Sequence, residues 1–272
     1  GNTWELTSLR GSFDTWVWTA AVHPKSSDTV YAGTTGWFGR ELYRSTSGGN
    51  TWENMRATNF VGSVEEIVFD PRASSTMYLA AGDLGILKTT DAGATWRAMN
   101  EGIRIADPGP MPSRTPVLSI AIRSDSTNIL YAVQTASGPV RGGVYLTRDG
   151  GQHWSAIDSS LEPLDHNLSG RRVFISRVDP RRIYVSLGAH GQFGTPSLSL
   201  GGLFSTSDEG RTWKRLMPGP VGVVAGGPRN SITLYVGTFS GIIKLDDIPV
   251  TGIPQNGPSE PKTLDLYQNY PN

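Results

Sequence analysis

The chain has 272 residues, no cysteine, and 24 basic residues balanced by 24 acidic ones. The lack of cysteine excludes disulfides, thiolate metal sites and thiol catalysis, and the charge balance argues against a broad nucleic-acid-binding surface. No apolar run approaches the ~18 residues of a membrane-spanning helix, so we expect no membrane insertion.

The first predicted element is a pair of short strands joined by a polar turn. Residues 17–22 and 29–33 are rich in apolar and β-branched side chains, and Pro, Ser and Asp lie between them. This unit recurs along the chain around a tyrosine: Tyr31, Tyr78, Tyr131, Tyr184 and Tyr235. The spacings of 47, 53, 53 and 51 residues are close to the period of four-stranded propeller blades.

Each of the first four units is followed by a third predicted strand and a turn that ends in tryptophan. The turns are residues 45–52, 89–96, 147–154 and 206–213, and they follow the pattern Ser/Thr-x-Asp-x-Gly-x-Thr-Trp. This pattern resembles the Asp-box, or BNR repeat, of sialidases, sortilin-type receptors and photosystem-assembly-factor-like propellers. The resemblance covers roughly residues 1–247. It implies an all-β propeller whose box turns lie on the face opposite the binding site.

The residues of the box have a structural explanation. The Asp can accept hydrogen bonds from the amides of its own turn, the Gly tolerates a positive φ, and the Trp covers the hairpin. We therefore predict turn closure, rather than metal binding or catalysis, for Asp91, Asp149, Asp208, Trp52, Trp96, Trp154 and Trp213. Ser47 replaces the Asp of the first box and His153 replaces the Thr of the third, so these two turns are expected to be held less firmly.

The repeats predict five blades. Four of them, residues 11–57, 58–101, 113–158 and 170–217, contain both halves of the unit. The fifth has three strands in residues 220–247, and we expect its outer strand to come from residues 3–7, so that the N-terminal strand closes the last blade. The alternative is a fragment of a longer propeller, because Asp-box proteins more often resemble rings of six, seven or ten blades.

The end of the chain has a different composition. Residues 248–263 are rich in Pro and Gly and are predicted to be a linker. Residues 264–272 contain Leu-Tyr-Gln-Asn-Tyr-Pro-Asn preceded by Leu-Asp, and resemble the start of the C-terminal sorting domain of type IX secretion cargo. The resemblance implies the type IX machinery as a partner and a location outside a Gram-negative bacterium, in the medium or at the cell surface. The predicted domains are thus a propeller at 1–247, a linker at 248–263 and a sorting segment at 264–272.

The loops opposite the box turns vary most in length, and variable loops on a regular scaffold tend to carry specificity. Aromatic rings beside Arg and carboxylates suit glycans or extended peptides. The ligand-binding candidates are Asp14, Trp16, Trp37, Arg40, Glu41, Asp83, Arg141, His190 and Phe193. A lone histidine such as His190 lacks the partners that a metal site needs, so no metal or cofactor is predicted.

Three functions remain open from the sequence. The Phe-Arg-Ile-Pro motif of sialidases is absent, and the repeated tyrosines are explained as strand residues, so we assign no catalytic residue. The sequence favours a secreted, non-catalytic propeller that binds a glycan, a peptide or an extracellular protein. The first alternative is a glycoside hydrolase with an acidic pair drawn from Asp14, Glu41, Asp83, Asp107 and Asp165. The second is a cell-surface structural protein that associates with itself.

Overall fold

The computed structural model describes residues 5–9, 15–36, 40–55, 62–104, 116–136, 142–164, 168–189, 201–219, 221–226, 233–238, 240–246 and 266–267. The described residues form five antiparallel sheets of four strands each, and one 3-10 helix at Ser159–Leu164. The all-β, five-bladed propeller that the repeats predict is therefore confirmed. No helix among the described residues is both long and apolar enough to span a membrane.

The strands follow one another from the inner to the outer edge of each blade. Blade 1 contains β1 (Thr15–His23), β2 (Ser26–Gly36), β3 (Leu42–Ser45) and β4 (Glu53–Asn54). Blade 2 contains β5 (Glu66–Phe69), β6 (Met77–Ala80), β7 (Ile86–Thr89) and β8 (Arg97–Ala98). Blade 3 contains β9 (Val117–Ile122), β10 (Leu130–Gln134), β11 (Gly143–Thr147) and β12 (Ser155–Ala156). Blade 4 contains β13 (Leu168–Ile175), β14 (Ile183–Ala189), β15 (Gly202–Thr206) and β16 (Lys214–Pro218). Blade 5 contains β17 (Val221–Gly226), β18 (Thr233–Thr238), β19 (Gly241–Asp246) and β20 (Leu266–Tyr267).

The repeated tyrosine joins each of the first four blades to the next. Tyr31 packs with Met77 and Leu79 of blade 2, and its hydroxyl donates to the carbonyl of Ala92 over 3.3 Å. Tyr78 repeats this arrangement one blade further on, where its hydroxyl donates to the carbonyl of Gly150 over 3.1 Å. The hydrophobic core is therefore a series of clusters between successive blades rather than one central cluster.

The box turns are closed by their own side chains. Asp91 Oδ1 accepts hydrogen bonds from the Thr89 hydroxyl at 2.6 Å and from the Thr95 amide at 2.9 Å. Asp149 and Asp208 make the equivalent bonds in the third and fourth boxes. Because these contacts lie within the turn, they fix the hairpin between the third and fourth strands of each blade.

The two boxes that depart from the pattern keep the turn in different ways. In the first, the Ser47 hydroxyl accepts from the Thr51 amide at 2.9 Å. In the third, Asp149 accepts from the His153 amide at 3.0 Å and contacts the His153 ring nitrogen Nδ1 at 2.7 Å. Burial acts to raise the pKa of Asp149, but the bonds from His153 and Thr147 outweigh it and hold that pKa below its usual range.

The outer strand of blade 5 comes from a different segment than the sequence predicts. It is β20, whose Leu266 and Tyr267 lie opposite Ile243 and Ile242 of β19. Of the expected closing strand, Thr3 and Trp4 lie outside the described residues, and residues 5–7 are not in a strand. Instead the segment 5–9 lies along the box turn of blade 1, where the Ser8 hydroxyl donates to the Asn50 carbonyl over 2.7 Å.

Candidate functional site

A β-bulge recurs near the start of the inner strands. The pairing of the first two strands shifts register between Val17 and Thr19 in blade 1, and at the matching place in blades 3, 4 and 5. The residue at this place lies thirteen positions before the repeated tyrosine. We call the five residues at this repeat position the bulge ring: Trp18, Glu65, Leu118, Arg171 and Gly222. Bulges redirect side chains and are common beside active sites, so this ring is a natural place for a ligand site.

The bulge ring lies on the loop side of the propeller. Antiparallel connection puts the start of each inner strand beside the turn between the second and third strands, and the box turns at the other end. The Glu65 amide, for example, donates to the Ala80 carbonyl over 2.8 Å, next to the turn at residues 81–85. Trp18 and Arg171 are exposed there.

Glu65 and Asp83 are neighbouring carboxylates of blade 2, and both lie near Arg40 of blade 1. Burial raises the pKa of Glu65, and the charge of Asp83 raises it further, whereas a hydrogen bond from Ser63 and the charge of Arg40 act against the shift. Arg40 also forms an ion pair with Asp83, with 3.4 Å between Nη1 and Oδ2. The structure thus brings together Arg40 and Asp83, which the sequence predicts, and adds Glu65, which it does not.

Asp83 is positioned by a tight turn between β6 and β7. The Ala81 amide donates to the Gly85 carbonyl at 2.7 Å, and the Leu84 amide donates back to the Ala81 carbonyl at 3.0 Å. Gly82 and Gly85 have φ values of 51° and 78°, which glycine adopts at little cost. The short loop therefore fixes the backbone at Asp83 just before β7.

Glu41 has a local partner at the start of β3. Its carboxylate accepts a short hydrogen bond from the Tyr43 hydroxyl, and its amide donates to the Thr34 hydroxyl over 2.8 Å. These contacts fix the connection between β2 and β3. They give Glu41 a role in shaping the loop that carries Arg40.

A second buried carboxylate joins three blades next to the bulge ring. Glu66 accepts from the Ser119 hydroxyl at 2.6 Å and from the Ile120 amide at 2.8 Å, and forms an ion pair with Arg172 at 2.8 Å. Ser119 in turn accepts from the Val173 amide at 3.2 Å. Burial raises the pKa of Glu66, while Arg172 and these hydrogen bonds oppose the shift. This network links blades 2, 3 and 4 on the loop side.

Glu66, Ser119 and Arg172 all lie twelve positions before a repeated tyrosine. An alignment of the repeats on their tyrosines would therefore have placed them in one layer of the inner strands. The same alignment would have placed Glu65 with Trp18 and Arg171. The Asp-box motif could not indicate these residues, because it lies between the third and fourth strands of each blade and they lie on the inner strands.

Among the other predicted residues, Trp16 lies on β1 opposite Thr35 and is exposed. The remaining predicted residues lie outside the described segments: Asp14, Trp37, Arg141, His190 and Phe193. Within the described segments, no group of three or more His, Asp or Glu side chains is placed to hold a metal ion.

Comparisons with known proteins point to two groups. The model of the sortilin-Vps10 family (sortilin, neurotensin receptor 3) matches residues 40–184, just over half of the chain. An oligoxyloglucan-reducing end-specific xyloglucanase of Emericella nidulans is 26% identical over 223 residues, which cover 71% of this chain and 26% of that protein. A xyloglucanase of Hypocrea jecorina is 25% identical over 169 residues, covering 62% of this chain and 18% of that protein. The chain thus spans about a quarter or less of the length of these curated relatives.

Solved structures agree on the fold. The GH74 xyloglucanase of Xanthomonas campestris is 19% identical with a TM-score of 0.64, over 85% of this chain and 37% of that one. The GH74 enzyme of Niastella koreensis is 20% identical with a TM-score of 0.61, over 81% of this chain and 33% of that one. The sequence relationship to xyloglucanases overturns the expectation of a non-catalytic binding propeller: that expectation was wrong, and the glycoside hydrolase alternative is the better supported one. The Asp-box motif could not distinguish a binding propeller from a glycoside hydrolase, because its residues close a turn and do not contact a ligand.

Proposed function

Because the chain belongs to the sortilin-Vps10 family and its curated relatives are xyloglucanases, we propose that it is a glycoside hydrolase propeller that cleaves a xyloglucan-type polysaccharide. The sequence similarity to enzymes of that name, over 62–71% of the chain, is the observation that carries this proposal. The proposed site is on the loop side, where Arg40 of blade 1 lies beside Glu65 and Asp83 of blade 2.

The carboxylate pair has the two characters that glycoside hydrolysis requires. A general acid needs a raised pKa so that it still holds its proton, and burial raises the pKa of Glu65. Its partner must accept a proton from water, and Asp83 lies beside the Arg40 guanidinium, with 3.4 Å between Nη1 and Oδ2. The pair therefore divides into an acid, Glu65, and a base, Asp83.

The proposed hydrolysis of the glycosidic bond involves two proton transfers. Glu65 gives its proton to the glycosidic oxygen as the bond from that oxygen to the anomeric carbon breaks. Asp83 takes a proton from the water that attacks the anomeric carbon. Arg40 orients Asp83, and the exposed rings of Trp16 and Trp18 offer apolar faces on which sugar rings can stack.

The test is the release of reducing ends from xyloglucan, with unsubstituted cellulose and a mannan as comparison substrates. We expect activity on xyloglucan, a loss of about 10²–10⁴-fold in kcat for Glu65→Gln, and a comparable loss for Asp83→Asn. Glu53→Gln is the matched control, since Glu53 pairs with Arg44 on the outer strands of blade 1. An inactive wild-type chain, or a Glu65→Gln variant as active as the control, would contradict the proposal.

We further propose that this activity is extracellular, on the basis of the resemblance of residues 264–272 to a type IX sorting segment. Expression of the chain in a bacterium that has the type IX machinery, followed by fractionation, tests this. We expect the propeller in the medium or at the cell surface. Retention inside the cell, with a known cargo of the same pathway exported normally, would count against it.

A further inference from the structure

Four repeat positions on the box side are exposed in each of the first four blades. Two of them lie in the turn between the first and second strands, seven and three residues before the repeated tyrosine. The other two lie two residues before and one residue after the box tryptophan. In blade 4 all four positions hold a base, and we call these residues the cationic edge: Arg177, Arg181, Arg211 and Lys214.

The charge of the cationic edge is particular to blade 4. The twelve equivalent positions of blades 1–3 hold a single base, Arg97, and two acids, Asp28 and Glu53. Because these positions are exposed in all four blades, their exposure in blade 4 does not result from the place of that blade in the row. What distinguishes blade 4 is therefore the chemistry of this surface.

The strand pairing of blade 4 brings its two box-side turns together. Ile183, which follows the first of these turns, pairs with Ile175 on one side and with Thr206, the first residue of the box, on the other. Lys214 pairs with Ser205, directly before the box. The four bases therefore lie at one end of four adjacent strands, which are ~5 Å apart from one to the next.

The acids of the same two turns have contacts of their own. Asp179 and Asp208 each accept a backbone amide of their own turn, at 3.1 and 2.9 Å. Glu209 reaches to blade 3, where it forms ion pairs with Arg123 at 3.1 Å and Arg148 at 2.6 Å. Within the described part of the chain, no ion pair joins a side chain of the cationic edge to an acid. These bases are therefore available to an anion from outside the chain.

We infer that the cationic edge binds a polysaccharide that carries carboxylate groups, such as a polyuronic acid. Three of its four residues are arginines, whose planar guanidinium groups match a carboxylate with two parallel hydrogen bonds. Bases spread over the exposed end of a blade suit an extended polymer with repeated charges, whereas a small ligand is usually bound in a concave site.

A nucleic acid is a less suitable partner for this surface. Its binding relies on a broad basic field, but the chain has no net charge, and the equivalent positions of blade 1 hold the acids Asp28 and Glu53. The cationic edge also lies on the box side, opposite the proposed cleavage site. The inference therefore goes beyond the proposed hydrolysis and does not rest on it.

Titration with polygalacturonic acid tests the inference, and the fully methyl-esterified polymer is the matched uncharged ligand. We expect the wild-type chain to bind the acid at least about tenfold more tightly than the ester, because the ester offers no charge to the four bases. Added salt should weaken binding of the acid, since the contacts are exposed to solvent. Binding is measured without cleavage, so its outcome is distinguishable from that of the hydrolysis assay.

Substitutions locate the binding surface. Arg177→Gln/Arg181→Gln should weaken binding of the acid about five- to thirtyfold, and Lys214→Gln about two- to fivefold, because each removes exposed charges. Arg97→Gln is the matched control, since Arg97 is exposed at the repeat position of Lys214 in blade 2. It should leave binding unchanged. Thermal unfolding of all these variants should match that of the wild type, because the side chains are exposed.

Several outcomes would overturn the inference. They are a wild-type chain that does not bind polygalacturonic acid, equal binding of acid and ester, and a loss for Arg97→Gln as large as that for Lys214→Gln. Duplex DNA and phosphatidylglycerol vesicles are the competing anionic ligands at the same salt concentration. Tighter binding of either one than of polygalacturonic acid would also refute the inference, because the cationic edge would then serve another class of partner.

Discussion

The box side and the loop side of this propeller use the same repeat in opposite ways. On the box side the contacts repeat: the residue three positions after one box Trp lies beside the Gly of the next box, as Met99 does at Gly151 and Ile157 does at Gly210. On the loop side one repeat position holds Trp18, Glu65, Leu118, Arg171 and Gly222 in turn. The difference indicates that residue identity is constant where it builds the ring and variable where chemistry can occur.

The largest expected effect compares two glycines on the two sides. Gly102 lies in the segment that packs on the third box turn, where the Trp154 amide donates to the Glu101 carbonyl. Its φ is +88°, and a Cβ there would lie 2.0 Å from the Trp154 carbonyl oxygen. Gly219, beside the loop-side end of β15, has φ +93° and open space around it. Left-handed strain should cost each Ala variant about 1–2 kcal/mol, and the clash should add about 1–3 kcal/mol at Gly102 alone.

Urea unfolding of Gly102→Ala and Gly219→Ala measures this contrast directly. A clearly lower urea midpoint for Gly102→Ala than for Gly219→Ala would show that the segment packed on the third box turn is the more rigid of the two. Equal losses of unfolding free energy would mean that the segment around Gly102 can adjust to a Cβ as easily as the open loop at Gly219. The box side would then be no more rigid than the loop side.

A second, smaller effect concerns pH. Burial acts to raise the pKa of Asp208, but bonds from Thr212 and Thr206 lower it to about 2. A carboxyl whose pKa is lower in the folded state contributes stability above its unfolded pKa of about 3.9, and that contribution is lost as pH falls towards 2. Asp208 is only half-buried and its charge is screened by solvent, so we expect only about 1 kcal/mol at pH 7.

Thermal unfolding of wild type and Asp208→Asn between neutral and acidic pH checks this prediction. The variant should melt lower at pH 7, and the gap should narrow below about pH 4 and close as pH falls to about 2. On the loop side, Asp83→Asn removes only a partly exposed ion pair and should cost about 0–1 kcal/mol. A constant gap at every pH would show that Asp208 acts through packing rather than through its charge.

The sequence predicts the ring well because the tyrosine and box positions each have one physical task. It fails at the outer strand of blade 5, because that strand has only two residues, Leu266 and Tyr267, and so short a strand leaves little pattern to recognise. It also misses Glu65 and Glu66, since two adjacent acids in a strand resemble a solvated edge. The charged neighbours that act on them, Arg40 and Asp83 at Glu65 and Arg172 at Glu66, come from other blades or loops and cannot be read from the local sequence.

The smallest expected effect restores the pattern in the first box. Ser47 offers one hydroxyl, which accepts from the Thr51 amide and lies 2.9 Å from the Thr51 hydroxyl. In the second box, Asp91 accepts from both equivalent groups of Thr95 with separate oxygens. Ser47→Asp should therefore stabilise the fold by about 0.5–1 kcal/mol, and Ser47→Ala should destabilise it by a similar amount, because the Thr51 amide loses its acceptor. Urea midpoints of both variants measure the two signs. A neutral Ser47→Asp would mean that the turn is already as firm as its neighbours, and that the box side tolerates this departure from its pattern.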